Sequence, residues 1–233
     1  MTKKTKLYFI FIVITLIIAI ICGVVTKNSF QGHIYLDELE KDKNLDEIAL
    51  QLFIDDNKYF NNDIENINEL EKESDLIVKV RLDGERKLYL QSTKSPVRII
   101  KKYYGSEYYK EGSLIYIEEP STFVNTIDLS YDVVQGYQLM REDKEYILFL
   151  KKLDKAPKYK YKGNEKNTLM PISTLYAKYL LDSENKSEAL DKIKVDNGEY
   201  SYGDIKEYPI VTYSQDEINK YNELLILVNK RYN

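Results

Sequence analysis

The sequence predicts a mainly β, α+β fold: a small closed or nearly closed β-barrel with flanking helices, preceded by one N-terminal transmembrane helix. Three observations lead there. Leu7 to Val25 is apolar except for Thr15 and Gly23, and it follows Lys3, Lys4 and Lys6. Leu76, Val78, Val80 and Leu82 lie on one side of an extended chain with Lys79 and Arg81 on the other, the period of a strand with one buried face. From Asp75 to Lys152, short β-forming runs then recur at close spacing between turn residues, as in a small barrel.

The apolar run has nineteen residues. At 1.5 Å per residue it reaches about 28 Å, close to the hydrocarbon thickness of a bilayer. The leading lysines place residues 1–6 in the cytoplasm, 7–25 across the membrane and the remainder outside, starting with a juxtamembrane segment over 26–63. A retained anchor is favoured over a cleaved signal peptide because no small-x-small cleavage site follows the run. Lipid attachment at Cys22 is disfavoured by the bulky Ile20 and Ile21 before it. Without its three leading lysines the chain holds 31 basic against 38 acidic residues, a net charge of −7. Nucleic acid and anionic lipid headgroups are poor partners for such a body. Its single cysteine lies inside the apolar run, so no intrachain disulfide forms, and a 43% hydrophobic content is enough for a core without one. Tyrosine (22) far outnumbers phenylalanine (7), which suits a β-rich fold with aromatics at its surface.

In chain order, Ile34 to Asn57 fits helix and strand about equally, with acidic residues in Asn44-Leu-Asp-Glu47 tilting it towards helix. Asn61 to Asp63 is a turn, and Ile64 to Lys72 a short helix with Ile64, Ile67 and Leu70 inward. Five strands follow: Asp75 to Leu82, Lys87 to Gln91, Val97 to Tyr103, Ser113 to Glu118 and Lys144 to Lys152. Ser121 to Asp132 has no steady period and reads as a long loop; Gly136 to Met140 is a bend. Residues 153–233 are expected to form hairpins and a closing helix packed on the barrel. Lys158 to Lys162 alternates as an exposed hairpin arm, and Leu175 to Leu181 reads as a strand. Asp191 to Val195 and Glu199 to Tyr202 flank Asp196-Asn197-Gly198, a hairpin signal. Ser214-Gln-Asp-Glu217 is a capping box opening a helix to about Lys230, with Ile218, Tyr221, Leu225 and Val228 inward.

Glu69-Leu-Glu-Lys-Glu-Ser-Asp-Leu-Ile-Val-Lys-Val80, Val97-Arg-Ile-Ile-Lys-Lys-Tyr-Tyr-Gly105, Lys110-Glu-Gly-Ser-Leu-Ile-Tyr-Ile117 and Glu145-Tyr-Ile-Leu-Phe-Leu150 make a recognisable series. It resembles poorly characterised exported or membrane-anchored proteins of Gram-positive bacteria. The layout is similar to the OB-like barrel of netrin-type modules and tissue metalloproteinase inhibitors. The resemblance implies an OB-like barrel over residues 64–152. Those inhibitors grip a protease zinc through an N-terminal cysteine, and this chain has no cysteine outside its apolar run, so their mechanism does not transfer.

Chemistry-bearing residues are few. His33 is the only histidine, just beyond the apolar run, and reads as a solvent-exposed juxtamembrane residue rather than a triad member or zinc ligand. No P-loop or Gly-x-Gly-x-x-Gly run is present. Glu118 and Glu119 suggest a carboxylate pair, but a strand end reaching solvent before Pro120 accounts for them. Asp55-Asp56-Asn57 lacks the spacing of a calcium loop and reads as a turn. The one ligand-binding candidate is the tyrosine cluster of Tyr103, Tyr104, Tyr108 and Tyr109, with Tyr137 at the same barrel end, since OB-type barrels stack ligands on aromatics. The Lys158 to Lys162 cations read either as a contact for an anionic polymer or as lysine protection of an edge strand. The expected function is that of a non-enzymatic, membrane-anchored extracytoplasmic binding protein of the cell envelope. It has no cofactor, no metal and no catalytic residue, touches lipid through residues 7–25, and has an envelope protein, peptide or glycan as partner. The alternatives are a carboxylate-dependent cell-wall hydrolase and an accessory subunit of a membrane complex.

Overall fold

The structure is a computed structural model and describes residues 3–29, 35–54, 59–125, 129–154, 156–181 and 186–232. It divides into two units, Met1–Ile34 and Tyr35–Asn233. The first contains α1 (Lys3–Ser29), 27 residues long. Successive positions Ile10, Phe11, Ile12, Val13 and Ile14 are all exposed, so the helix is apolar all round and has no single stripe to bury within its own unit. Thr15 returns its hydroxyl to the Phe11 carbonyl at 2.9 Å, which hides the one polar side chain within this run. Among the described residues no helix is long and apolar enough to cross a membrane. In α1 the side chains described without a gap are those of residues 10–24.

The second unit begins with α2 (Leu36–Asp42), a 3-10 turn at Leu45–Glu47 and β1 (Ala49–Phe53). Next come α3 (Ile67–Glu73), β2 (Leu76–Leu82), β3 (Lys87–Leu88), β4 (Thr93–Gly105) and β5 (Leu114–Glu119). β6 (Ser121–Asn125) and β7 (Leu129–Val134) precede β8 (Glu145–Lys152), β9 (Thr168–Pro171) and β10 (Lys178–Leu180). Three helices complete the series: α4 (Lys192–Asp196), α5 (Tyr202–Ile205) and α6 (Gln215–Tyr232).

A closed barrel of five strands forms the centre of this mixed α+β unit. β2 pairs antiparallel with β4 and with β8, and β4 with β5; β5 runs parallel to β9, which returns antiparallel to β8. The cyclic order is therefore β2-β4-β5-β9-β8. β4 makes closure possible: its 13 residues pair with β5 over Thr93 to Arg98 and with β2 over Val97 to Gly105. Register shifts at Ile77/Val78 and Lys79/Val80 bend that second pairing, as bulges do. Val78, Val80, Val97, Ile99, Ile115, Ile117, Leu148 and Leu150 fill the barrel. The opposite face of β2 and β8, with Ile77, Ile147 and Phe149, is covered by α3 and α6 through Ile67, Leu70, Ile218, Tyr221 and Val228. β8 is thus buried on both faces, which is why its sequence is a continuous apolar run instead of an alternation. A second sheet, β1-β7-β6, carries its own core around Leu50, Phe123, Tyr131 and Val133, with Leu36 and Leu39 of α2 packed in.

Several expectations are corrected. The barrel does not end at Lys152: its fifth strand is β9, and the expected strand Lys87 to Gln91 shrinks to the two-residue β3 hung on β4. Ser121 to Asp132 is no loop; β6 and β7 pair antiparallel, and β1 lies parallel to β7, so residues 49–53 are strand and not helix. The supposed hairpin around Asp196-Asn197-Gly198 is a helix end. Asp191 caps α4 by accepting the amides of Ile193 and Lys194, and Gly198 at φ +70° takes the left-handed position after it. Glu199 N then donates to the Lys194 carbonyl, closing the helix terminus and competing successfully with any hairpin pairing. Lys158 to Lys162 forms no strand. Only Lys178–Leu180 of the expected 175–181 strand pairs with β8. The capping box of α6 is half made: Ser214 Oγ accepts Glu217 N at 3.3 Å, but the Glu217 carboxylate takes the Thr212 hydroxyl instead of reaching back to Ser214 N. His33 and Asp55-Asp56-Asn57 lie outside the described residues.

Candidate ligand-binding site

The five tyrosines expected to form one surface are distributed over four environments. Tyr103 packs edge-on against Tyr232, its hydroxyl donating to the Tyr232 carbonyl, so it fastens α6 to the barrel. Tyr104, pointing the other way from the same strand, is 56% exposed. Tyr137 is fully buried beyond the opposite end of β5, remote from the loop of the other four in register. The reason is the segment after β7: Gln135 and Gly136 take positive φ, and Tyr137 bridges Ile210, which turns its ring inward. Only Tyr108 and Tyr109 remain together at the barrel mouth.

That mouth is a cleft of about 370 Å³ between the β4–β5 turn and the β8–β9 connection. Tyr108, Tyr109 and Tyr161 supply its aromatic surface, Lys152 and Lys166 its charge. Tyr109 is buried on the barrel core, and burial pushes its phenol pKa up. Tyr108 stands 5.2 Å from it, edge to face, and is half exposed. Its hydroxyl donates to Asn167 Oδ1 at 2.6 Å, and Lys166 Nζ lies 4.5 Å from its ring centre, a cation–π arrangement. Glu165 organises the second wall: its carboxylate accepts Lys162 N at 2.7 Å and the Tyr159 hydroxyl at 2.8 Å. Those bonds, led by the backbone amide, hold its pKa below the ordinary carboxylate range. Tyr161 and Lys166 were missed by sequence reasoning. The alternation in Lys158 to Lys162 was the signal for Tyr161, read there as strand periodicity when it is a tyrosine–lysine loop; Lys166 lies beyond that run and carried no signal.

The strand end expected to carry both Glu118 and Glu119 into solvent is corrected at Glu119, and the alternative, a carboxylate pair, is not brought together either. Alternation along β5 turns Ile115, Ile117 and Glu119 inward and Tyr116 and Glu118 outward. Glu119 is fully buried; its carboxylate accepts the Ser95 hydroxyl and, at 2.8 Å, Met140 N. Near it lies Lys178, also buried, whose ammonium donates to the Gln138 carbonyl and faces the Tyr137 ring at 4.4 Å. Burial pushes the Lys178 pKa down to about 7 against the opposing pull of Glu119. Such a shift resembles a catalytic amine. The space beside it is only about 10 Å³, however, and the geometry is that of a sealed, charge-balanced core. Among the described residues no group of three or more His, Cys, Asp or Glu side chains is placed to hold a metal ion.

What the mouth can do chemically is stack and hold a ring while placing ammonium groups at its rim. The chain matches no protein-family model, no curated protein and no solved structure.

Proposed function

We propose that this chain is a non-enzymatic binding protein, anchored in a membrane by α1 and presenting its barrel outside the cytoplasm to capture a negatively charged glycan. The observation that carries the reading is the cleft of Tyr108, Tyr109 and Tyr161 with Lys152 and Lys166 and no carboxylate in its lining. Tyrosine faces suit the apolar faces of sugar rings, and lysines at the rim suit acidic substituents. The cyclic strand order, with third and fifth strands parallel, supports an OB-like barrel, a fold whose loops and sheet face bind oligosaccharides and oligonucleotides. The net charge of −7 beyond the leading lysines weighs against densely charged nucleic acid. The apolar run 7–25 in the sequence is what supports the anchor. A hydrolase using Glu118 and Glu119 gains no support, because the two face opposite sides of one strand.

Binding of the full-length chain to an array of acidic and neutral glycans tests this. The expected result is retention of acidic glycans, lost on Tyr108→Ala or Tyr161→Ala and weakened by Lys166→Ala. Retention unaffected by these three changes overturns the site, and preference for single-stranded nucleic acid overturns the ligand class. Fractionation with membranes, resistant to salt and to alkaline carbonate, tests the anchor; release by either wash refutes it.

A further inference from the structure

A different cleft also opens on the barrel unit. It measures about 430 Å³ and opens where β5 and β9 meet β7 and the end of β1. Phe53, Leu90, Val134 and Met170 make it mainly apolar, and among the described residues its charged lining side chains are Glu118 and Asp132. That volume is in the range of small-molecule sites, which are mostly apolar with a few placed polar groups.

The two acids are not equivalent. Glu118 accepts the Ser92 hydroxyl at 3.0 Å and lies 3.9 Å from Lys94 Nζ, so its charge has a local partner. Asp132 is half-buried in β7 and accepts the Ser130 hydroxyl at 2.6 Å. Among the described residues no basic side chain stands within ion-pair distance of Asp132, and burial pushes its carboxyl pKa up in spite of the Ser130 bond. A half-buried carboxylate without a counter-charge is costly, and a cation entering the cleft would repay that cost. The apolar walls add favourable burial for whatever body carries the cation.

We infer that this cleft binds a small organic cation, an ammonium or guanidinium group on a compact apolar body, with Asp132 as its counter-ion. The site lies on another part of the barrel from the tyrosine mouth and asks for the opposite ligand charge, so the two readings stand or fall separately.

Calorimetric titration of the full-length chain with phenethylammonium, phenethyl alcohol and phenylacetate tests it. Saturable binding is expected for the ammonium, at least about tenfold weaker binding for the alcohol, and none for phenylacetate. Asp132→Asn should weaken the ammonium at least about tenfold while leaving the alcohol unchanged, and Tyr108→Ala should change neither. Val134→Trp, which fills the cleft, should abolish both and covers the case in which Asp132→Asn fails to fold. Equal affinity for alcohol and ammonium, an undiminished Asp132→Asn, binding after Val134→Trp, or saturation only by a lysine-containing peptide would each overturn the assignment.

Discussion

Lys178 Nζ lies 4.4 Å from the centre of the Tyr137 ring, and both side chains are sealed in the core. One wall of this centre comes from β10 and the other from the turn after β7, so it ties the barrel to the second sheet. The Lys178 ammonium donates a hydrogen bond to the Gln138 carbonyl, while the Gln138 amide donates to the Ile205 carbonyl at 2.8 Å. A buried lysine, a buried glutamate and a buried amide thus hold three distant segments, at a desolvation cost that is visible in the lysine's pKa.

That cost predicts a pH dependence. The Lys178 pKa falls from 10.5 to about 7 on folding, first through burial. Between those values the unfolded chain holds a proton that the folded one has released, so stability rises with pH across the window. Below about pH 7 both states are protonated and the penalty is full. Urea unfolding from pH 6.5 to about 9.5 should show a rise on the order of 2–3 kcal/mol. Lys178→Met should remove that slope; parallel profiles for the two proteins would contradict a buried, depressed lysine.

Glu118 and Glu119 should respond very differently to substitution. Glu119→Ala leaves Met140 N and the Ser95 hydroxyl without their acceptor and the buried Lys178 without its nearby counter-charge, a loss of about 3–5 kcal/mol. Glu118→Ala removes a half-exposed bond to Ser92 and costs about 1 kcal/mol or less. Chemical denaturation of both variants decides it, and comparable losses would mean that the inward and outward faces of β5 have been misassigned.

Glycine positions give a backbone test. At Gly136, with φ +86°, a Cβ would come within 2.6 Å of Leu175 and 2.7 Å of the Val211 carbonyl. Gly198, with φ +70°, has open space around it. Gly198→Ala should cost about 1 kcal/mol from backbone strain alone, and Gly136→Ala at least twice that, because sterics add to strain. Equal melting temperatures for the two variants would rule out the close approach of residues 175 and 211 to this turn.

The closing helix can be probed through its two sides. Ile218 is buried against the barrel, while Ile226 is 68% exposed. Ile218→Ala should cost about 2–4 kcal/mol and Ile226→Ala less than about 0.5 kcal/mol in equilibrium unfolding. A reversed order would require a different rotation of α6 about its axis.

The strands that alternate or run apolar were legible: β2, β4, β5 and β8 all fall within a few residues of their expected positions, as do α3 and α6. In each case the chain's own pattern records which side is buried. β6 and β7 were not legible, although Leu129, Tyr131 and Val133 alternate with Ser130 and Asp132: both runs are short, and β1, which pairs beside β7, lies far away in sequence. The candidate cleft was only partly marked in the sequence. Tyr108 and Tyr109 were marked by their clustering, but Tyr137 belonged elsewhere, since clustering in sequence says nothing about which way a turn throws a ring.

By itself, the sequence determined the apolar N-terminal helix, the β-rich body, the lack of disulfides and the alternation that separates inward from outward positions. These are local properties, set by residue type and period. Closure of the barrel was decided only by the tertiary structure. Four residues, Thr168–Pro171, complete it by lying between β5 and β8, and so short a segment has no periodicity to announce itself. Its backbone bonds exist only once two partners distant in sequence present open edges, and the same closure places Tyr161 and Lys166 beside Tyr108.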